Sequence, residues 1–168
     1  VFSSVIAYNI SKVFIRTMYS KIYFRRFPHM VELIVGKEGK GKTKQLLERV
    51  NTEIKTASGN IVFLDRNDKH MFELNNKVRL INVSEYEFTN SSEFIGFVCG
   101  ILSQDHDIEQ MYIDAVLKVA KTDKAELTAV VKRLAVIGQK FNVKFTASVT
   151  LDASQLDVEI REYIAVEL

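Results

Sequence analysis

The chain has 168 residues, 47% of them apolar, which suffices for one domain with a real core and makes two domains improbable. Its one cysteine, Cys99, excludes an internal disulfide and a multi-cysteine zinc site, and points to a reducing cytoplasm. The formal charge of +2 hides an uneven split. Residues 1–30 carry Lys12, Arg16, Lys21, Arg25 and Arg26 and no acid, for +5, leaving 18 bases against 21 acids, or −3, on residues 31–168. A slightly acidic body gives no indication of a broad nucleic-acid-binding face.

The first 29 residues differ in composition from the rest. Residues 1–30 hold seven of the seventeen aromatic side chains and the only proline, Pro28. A membrane-spanning helix needs about 20 consecutive apolar residues, and Lys12, Arg16 and Lys21 interrupt the run, so no transmembrane segment is expected. A basic, acid-free leader of the transit-peptide kind and an amphipathic surface helix through Val5, Tyr8, Lys12 and Ile15 are open alternatives. The preferred reading is upstream sequence outside the native domain, which then begins at Met30.

Val31–Val35 is short, apolar and β-branched, as expected of a buried parallel strand. Gly36-Lys37-Glu38-Gly39-Lys40-Gly41-Lys42-Thr43 follows, with the spacing of a phosphate-binding loop: glycine, four residues, glycine, lysine and a hydroxyl. From Lys42 onward, Leu46, Leu47, Val50 and Ile54 share a helical face, so the loop sits between strand and helix. Glycines let backbone N–H groups turn inward around an anion, and the helix start adds free N–H groups and the positive end of its dipole. The expected nucleotide contacts run from Gly36 through Lys44. Lys42 reaches the β- and γ-phosphates, the Thr43 hydroxyl ligates Mg²⁺, and Lys37 and Lys40 add diffuse positive field.

Ile61–Leu64 reads as a second strand ending at Asp65-Arg66-Asn67-Asp68, and 78–83 as a third. Asn90 and Glu93 have capping-box spacing ahead of a helix bearing Phe94, Phe97, Val98 and Ile101, with Cys99 a packing residue rather than a nucleophile. Asp105, His106 and Asp107 read as a solvated loop, since consecutive residues point different ways. The strand 108–113 ends at Asp114, an acid expected to hold the Mg²⁺ shell from a strand beside the loop strand. Asp123 and Glu126 open another helix, with Gly138 expected near its end. Val143–Thr150 is a strand whose Thr146, Ser148 or Thr150 is placed to sense a γ-phosphate at the strand's carboxyl end. A short helix within 152–162 and a last edge strand over 163–168 complete the reading.

This order of elements resembles RecA-like P-loop NTPases over residues 31–168, and the short chain and Asp65-Arg66 pair resemble thymidine kinases and small bacterial PilT-like ATPases. The resemblance implies an α/β, three-layer P-loop NTPase fold with a mainly parallel central sheet, ATP and Mg²⁺ as ligands, and slow hydrolysis. The residue after Asp114 is Ala115, where many relatives have a catalytic Glu. RecA-type proteins carry an acid beyond the second strand, so Asp65 or Asp68 is the expected carboxylate for polarising water, beside Lys42. No arginine finger is evident, which implies a homo-oligomer or protein partner supplying one in trans. A guanine-selecting Asn-Lys-x-Asp segment is absent, favouring ATP. A small-molecule kinase with a nucleoside-like acceptor and a nucleotide-gated interaction module are the alternatives.

Overall fold

The computed structural model describes residues 29–168. The leader lies outside the described residues, apart from its final residue, His29. The strands are β1 (Val31–Val35), β2 (Asn60–Asp65), β3 (Val78–Asn82), β4 (Ile108–Ile113), β5 (Lys144–Val149) and β6 (Ile164–Glu167). The helices are α1 (Lys42–Glu53), α2 (Ser91–Gln104), α3 (Val116–Val119), α4 (Lys124–Phe141) and α5 (Val158–Arg161). All six strands form one sheet in the order β3-β2-β4-β5-β1-β6, and every neighbouring pair is parallel.

Strand alternation divides the core in two. Val31, Leu33, Val35, Val62, Leu64, Met111, Ile113, Phe145 and Ala147 project to the side covered by α2 and α4, where they meet Phe94, Val98, Leu127, Val131 and Leu134. Ile34, Ile61, Phe63 and Tyr112 project to the other side, against Leu46, Leu47 and Val50 of α1. Burial on both faces explains why the central strands are apolar runs rather than alternating ones. Among the polar residues within these strands, Glu32 faces α1 and is held by the Arg49 guanidinium and, at 2.7 Å, by Lys144 Nζ.

Two local expectations are corrected. The strand ending at Asp114 is not beside the loop strand, because β5 pairs with both β1 and β4 and separates them. Gly138 lies near the end of α4 as expected, in the last turn, while the helix continues to Phe141 and ends on Asn142 in the left-handed region at φ 55°. Asn is among the few non-glycine residues that adopt this conformation readily, so it replaces glycine as the helix stop. The capping boxes form only in half. Asn90 and Asp123 each accept the N–H three residues on, from Glu93 and Glu126, both at 3.0 Å. Glu93 instead accepts the Thr89 N–H at 2.6 Å, while Glu126 takes the Ser91 and Thr122 hydroxyls.

The Thr89 backbone N–H, then its hydroxyl, hold the Glu93 carboxyl below its ordinary pKa. The depressed folded value gives stability that is present above the unfolded pKa and lost as pH falls through the folded one. Glu93→Gln should therefore be less stable than the parent at neutral pH. The difference should close in strong acid, as read by urea unfolding across a pH series.

Candidate functional site

Parallel sheets with helices on both faces collect ligands at the carboxyl ends of their strands. There, β1 gives way to the glycine-rich loop, whose Gly39 and Gly41 stand at φ 78° and 87°. An added Cβ would meet nothing within 4 Å at either residue, so left-handed backbone, not space, is what demands glycine there. Gly41 is the N-cap of α1, with no side-chain cap and no acid in the first turn. The first-turn N–H groups and the helix dipole are thus left for an external anion.

Lys42 opens α1 and is buried, with Nζ donating to the Lys37 carbonyl at 2.6 Å. Burial pushes its pKa down, the carboxylates of Asp114 and Glu38 partly restore it, and Lys118 lowers it further. The next residue, Thr43, donates its hydroxyl to Asp114, 2.9 Å from Oδ2 and 3.1 Å from Oδ1. Ser148 Oγ donates to Asp114 Oδ1 at 2.7 Å and accepts the Ala115 N–H at 2.6 Å. Ser148 lies on the face of β5 toward α1, which brings its hydroxyl to a carboxylate on the neighbouring strand. Ala115 is left-handed at φ 52°, a conformation that costs alanine of order 1–2 kcal/mol.

Buried polarity is concentrated at this edge. Among the described residues the buried polar side chains are Lys42, Asp65, His70, Asp114, Thr146 and Ser148. Asp65 Oδ1 accepts the Arg66 N–H at 2.6 Å, and Oδ2 lies 2.7 Å from His70 Nδ1. A cleft of about 410 Å³ runs over these groups, lined by the loop, Asp65, Arg66, Asp114, Lys118, Ser148 and Thr150 among others. A wider groove of about 580 Å³ adjoins it through Arg66 and Lys118 and extends to Lys121, Asp123 and Glu126. Of the two, only the smaller cleft is lined by the glycine-rich loop.

The loop residues, Lys42, Thr43, Asp65 and Asp114 therefore converge in space. Asp68 is set apart, exposed, with its carboxylate 3.1 Å from Asn82 Nδ2. Lys37 turns outward toward Asp152 at 3.5 Å, and Lys44 toward Glu48 at 3.8 Å. Of the hydroxyl trio, Ser148 joins Asp114, Thr150 lines the cleft and Thr146 is buried. His70 and the cleft-lining Lys118 were not singled out by sequence, and Arg66, noted there only beside Asp65, lines the same cleft. Nothing in the residue pattern points to His70, one of three histidines in a polar loop, until the fold returns it to Asp65.

Comparison with solved structures assigns the fold. A KaiC-like protein of the hyperthermophilic archaeon Pyrococcus horikoshii superimposes with a TM-score of 0.56 at 16% identity, over 82% of this chain and 68% of that one. The chain thus has an α/β, RecA-like P-loop fold. No family model matches the sequence, and no curated protein does. Among the described residues no helix is long and apolar enough to cross a membrane.

Proposed function

We propose that this chain binds ATP with Mg²⁺ in the loop cleft and hydrolyses it slowly. The observation that carries this reading is the convergence of a left-handed glycine loop, a buried lysine and a Thr43–Asp114–Ser148 hydroxyl–carboxylate network on one cleft. The KaiC-like structural neighbour supports it at the level of fold.

The chain's own groups divide the work. Loop N–H groups and the start of α1 take the phosphate oxygens, and Lys42 leaves the Lys37 carbonyl to donate to the β- and γ-phosphates. The Thr43 hydroxyl and Asp114 carboxylate are hard oxygen donors that fit Mg²⁺, which when bound supplies charge neutralisation at the phosphates. Asp65 is the buried carboxylate that orients the attacking water. The water oxygen bonds to the γ-phosphorus, the bond to the β-phosphate oxygen breaks, and ADP and inorganic phosphate leave with the water's protons. Ser148, fixed to Asp114 and the Ala115 N–H, relays the state of the γ-phosphate side of the cleft. An arginine supplied in trans by a second copy or a protein partner belongs to the same proposal, as does a cytoplasmic location.

The adjoining groove of about 580 Å³ favours a second reading, phosphoryl transfer to a small acceptor seated between Arg66 and Lys121. Titration with ATP, GTP and ADP, with and without Mg²⁺, following phosphate release in the same samples, separates the readings. ATP binding with slow phosphate release is the expected result. ADP formation that depends on an added nucleoside-like acceptor would establish the kinase, binding without turnover a nucleotide-gated module, and no binding would end the nucleotide reading.

A further inference from the structure

We propose that Asp65, His70 and Asp114 form a binding site for one divalent transition-metal ion, held through the His70 imidazole and taken in preference to Mg²⁺. The site follows from topology. β2 and β4 are neighbours, with Leu64 paired to Ile113, so the carboxylates that end them stand side by side. After Asp65 the chain turns back within five residues and sets His70 Nδ1 2.7 Å from Asp65 Oδ2. One ligating atom from each of the three residues lies within 4.8 Å of the other two, and the residues are 4%, 8% and 7% exposed. Around an ion bonded at about 2.0–2.2 Å, adjacent ligand atoms stand roughly 3–3.5 Å apart. Small side-chain rotations therefore close the three groups onto one ion.

Electrostatics favours occupation. Two buried carboxylates at adjacent strand ends repel each other, and Lys42, the buried ammonium beside Asp114, has its Nζ donating to Lys37 O. A divalent cation compensates both acids at once. The donor set then decides which cation. Mg²⁺ asks for oxygen ligands and near-ideal octahedral geometry, whereas an imidazole beside two carboxylates suits Zn²⁺, Co²⁺ or Mn²⁺. His70 is outside the phosphate loop and takes no part in the nucleotide contacts above. The ion site shares Asp114 with those contacts and Asp65 with the proposed water-orienting role, but it does not need a nucleotide.

Co²⁺ added to the full, nucleotide-free chain is the direct probe, followed by its visible d–d bands and by calorimetry. The expected result is one bound ion, bands that persist in a large excess of Mg²⁺, and a loss of affinity of about 10-fold or more in His70→Ala. His70→Gln, which keeps a hydrogen-bonding group toward Asp65, should show the same loss if folding of the alanine variant is impaired. A protein that fails to bind ATP yet takes Co²⁺ through His70 keeps this proposal and loses the nucleotide reading. No Co²⁺ binding, binding by both His70 variants as tight as the parent's, or displacement by Mg²⁺ would overturn it.

Discussion

Lys42→Ala should lower ATP affinity by about 10²-fold to 10⁴-fold while leaving the fold intact. The size follows from two charge-assisted hydrogen bonds to phosphate, each worth about 1.5–3 kcal/mol, at 1.4 kcal/mol per tenfold in affinity. The sign of the stability change follows from burial. Lys42 is 7% exposed, and desolvation drives its pKa down, so at neutral pH its charge opposes folding. Removing that charge forfeits one hydrogen bond to Lys37 and relieves the desolvation, so the unfolding midpoint should stay close to the parent's. The affinities are measured calorimetrically and the midpoint by urea unfolding. Unchanged ATP binding would take the loop out of the functional account. A collapsed midpoint would make Lys42 a structural residue whose role in binding must be tested another way, by Lys42→Met.

How much of this could be read from sequence depends on the range of the interaction concerned. The loop was legible because its demands are local: glycine where the backbone is left-handed, and lysine and threonine at the start of the following helix. The strands β1, β2, β4 and β5 were legible because burial on both faces makes them largely apolar. Their spatial order was not. Nothing in Lys144–Val149 says that it lies between the loop strand and the strand ending in Asp114, and that insertion is what brings Ser148 to the carboxylate.

The two candidate acids after β2 show the same division. Asp65 and Asp68 were equivalent on sequence, two acids just past an apolar strand. The fold distinguishes them by burying Asp65 against His70 and leaving Asp68 on the surface with Asn82. His70 escaped notice because its partner is defined by a loop reversal rather than by any residue periodicity. The capping residues were found correctly at Asn90 and Asp123, where the side chain meets a backbone N–H three residues on. The reciprocal half failed, because Glu93 and Glu126 had better partners from outside the helix.

Asp114→Asn should compress the Mg²⁺ dependence of nucleotide binding, reducing the ratio of affinities with and without the ion by about 10-fold to 100-fold. The amide keeps the shape of the carboxylate and one acceptor oxygen for Thr43 or Ser148, but loses the charge that attracts a hard cation. Two opposed effects make the result diagnostic. With Mg²⁺ the variant should bind ATP more weakly, because the cation is held less well. Without Mg²⁺ it should bind no worse than the parent, since a negative charge beside the phosphates has been removed. A merely structural Asp114 would give the other pattern: reduced stability from a disturbed Thr43–Asp114–Ser148 network, and an unaltered metal ratio. Ser148→Ala supplies the internal comparison. It removes one donor to Asp114 and the acceptor of the Ala115 N–H but keeps the charge. It should therefore cost more stability than Asp114→Asn and shift the Mg²⁺ ratio less. Separating charge from hydrogen bonding in this way tests whether the strand-end acid is there to hold the fold or to hold a cation.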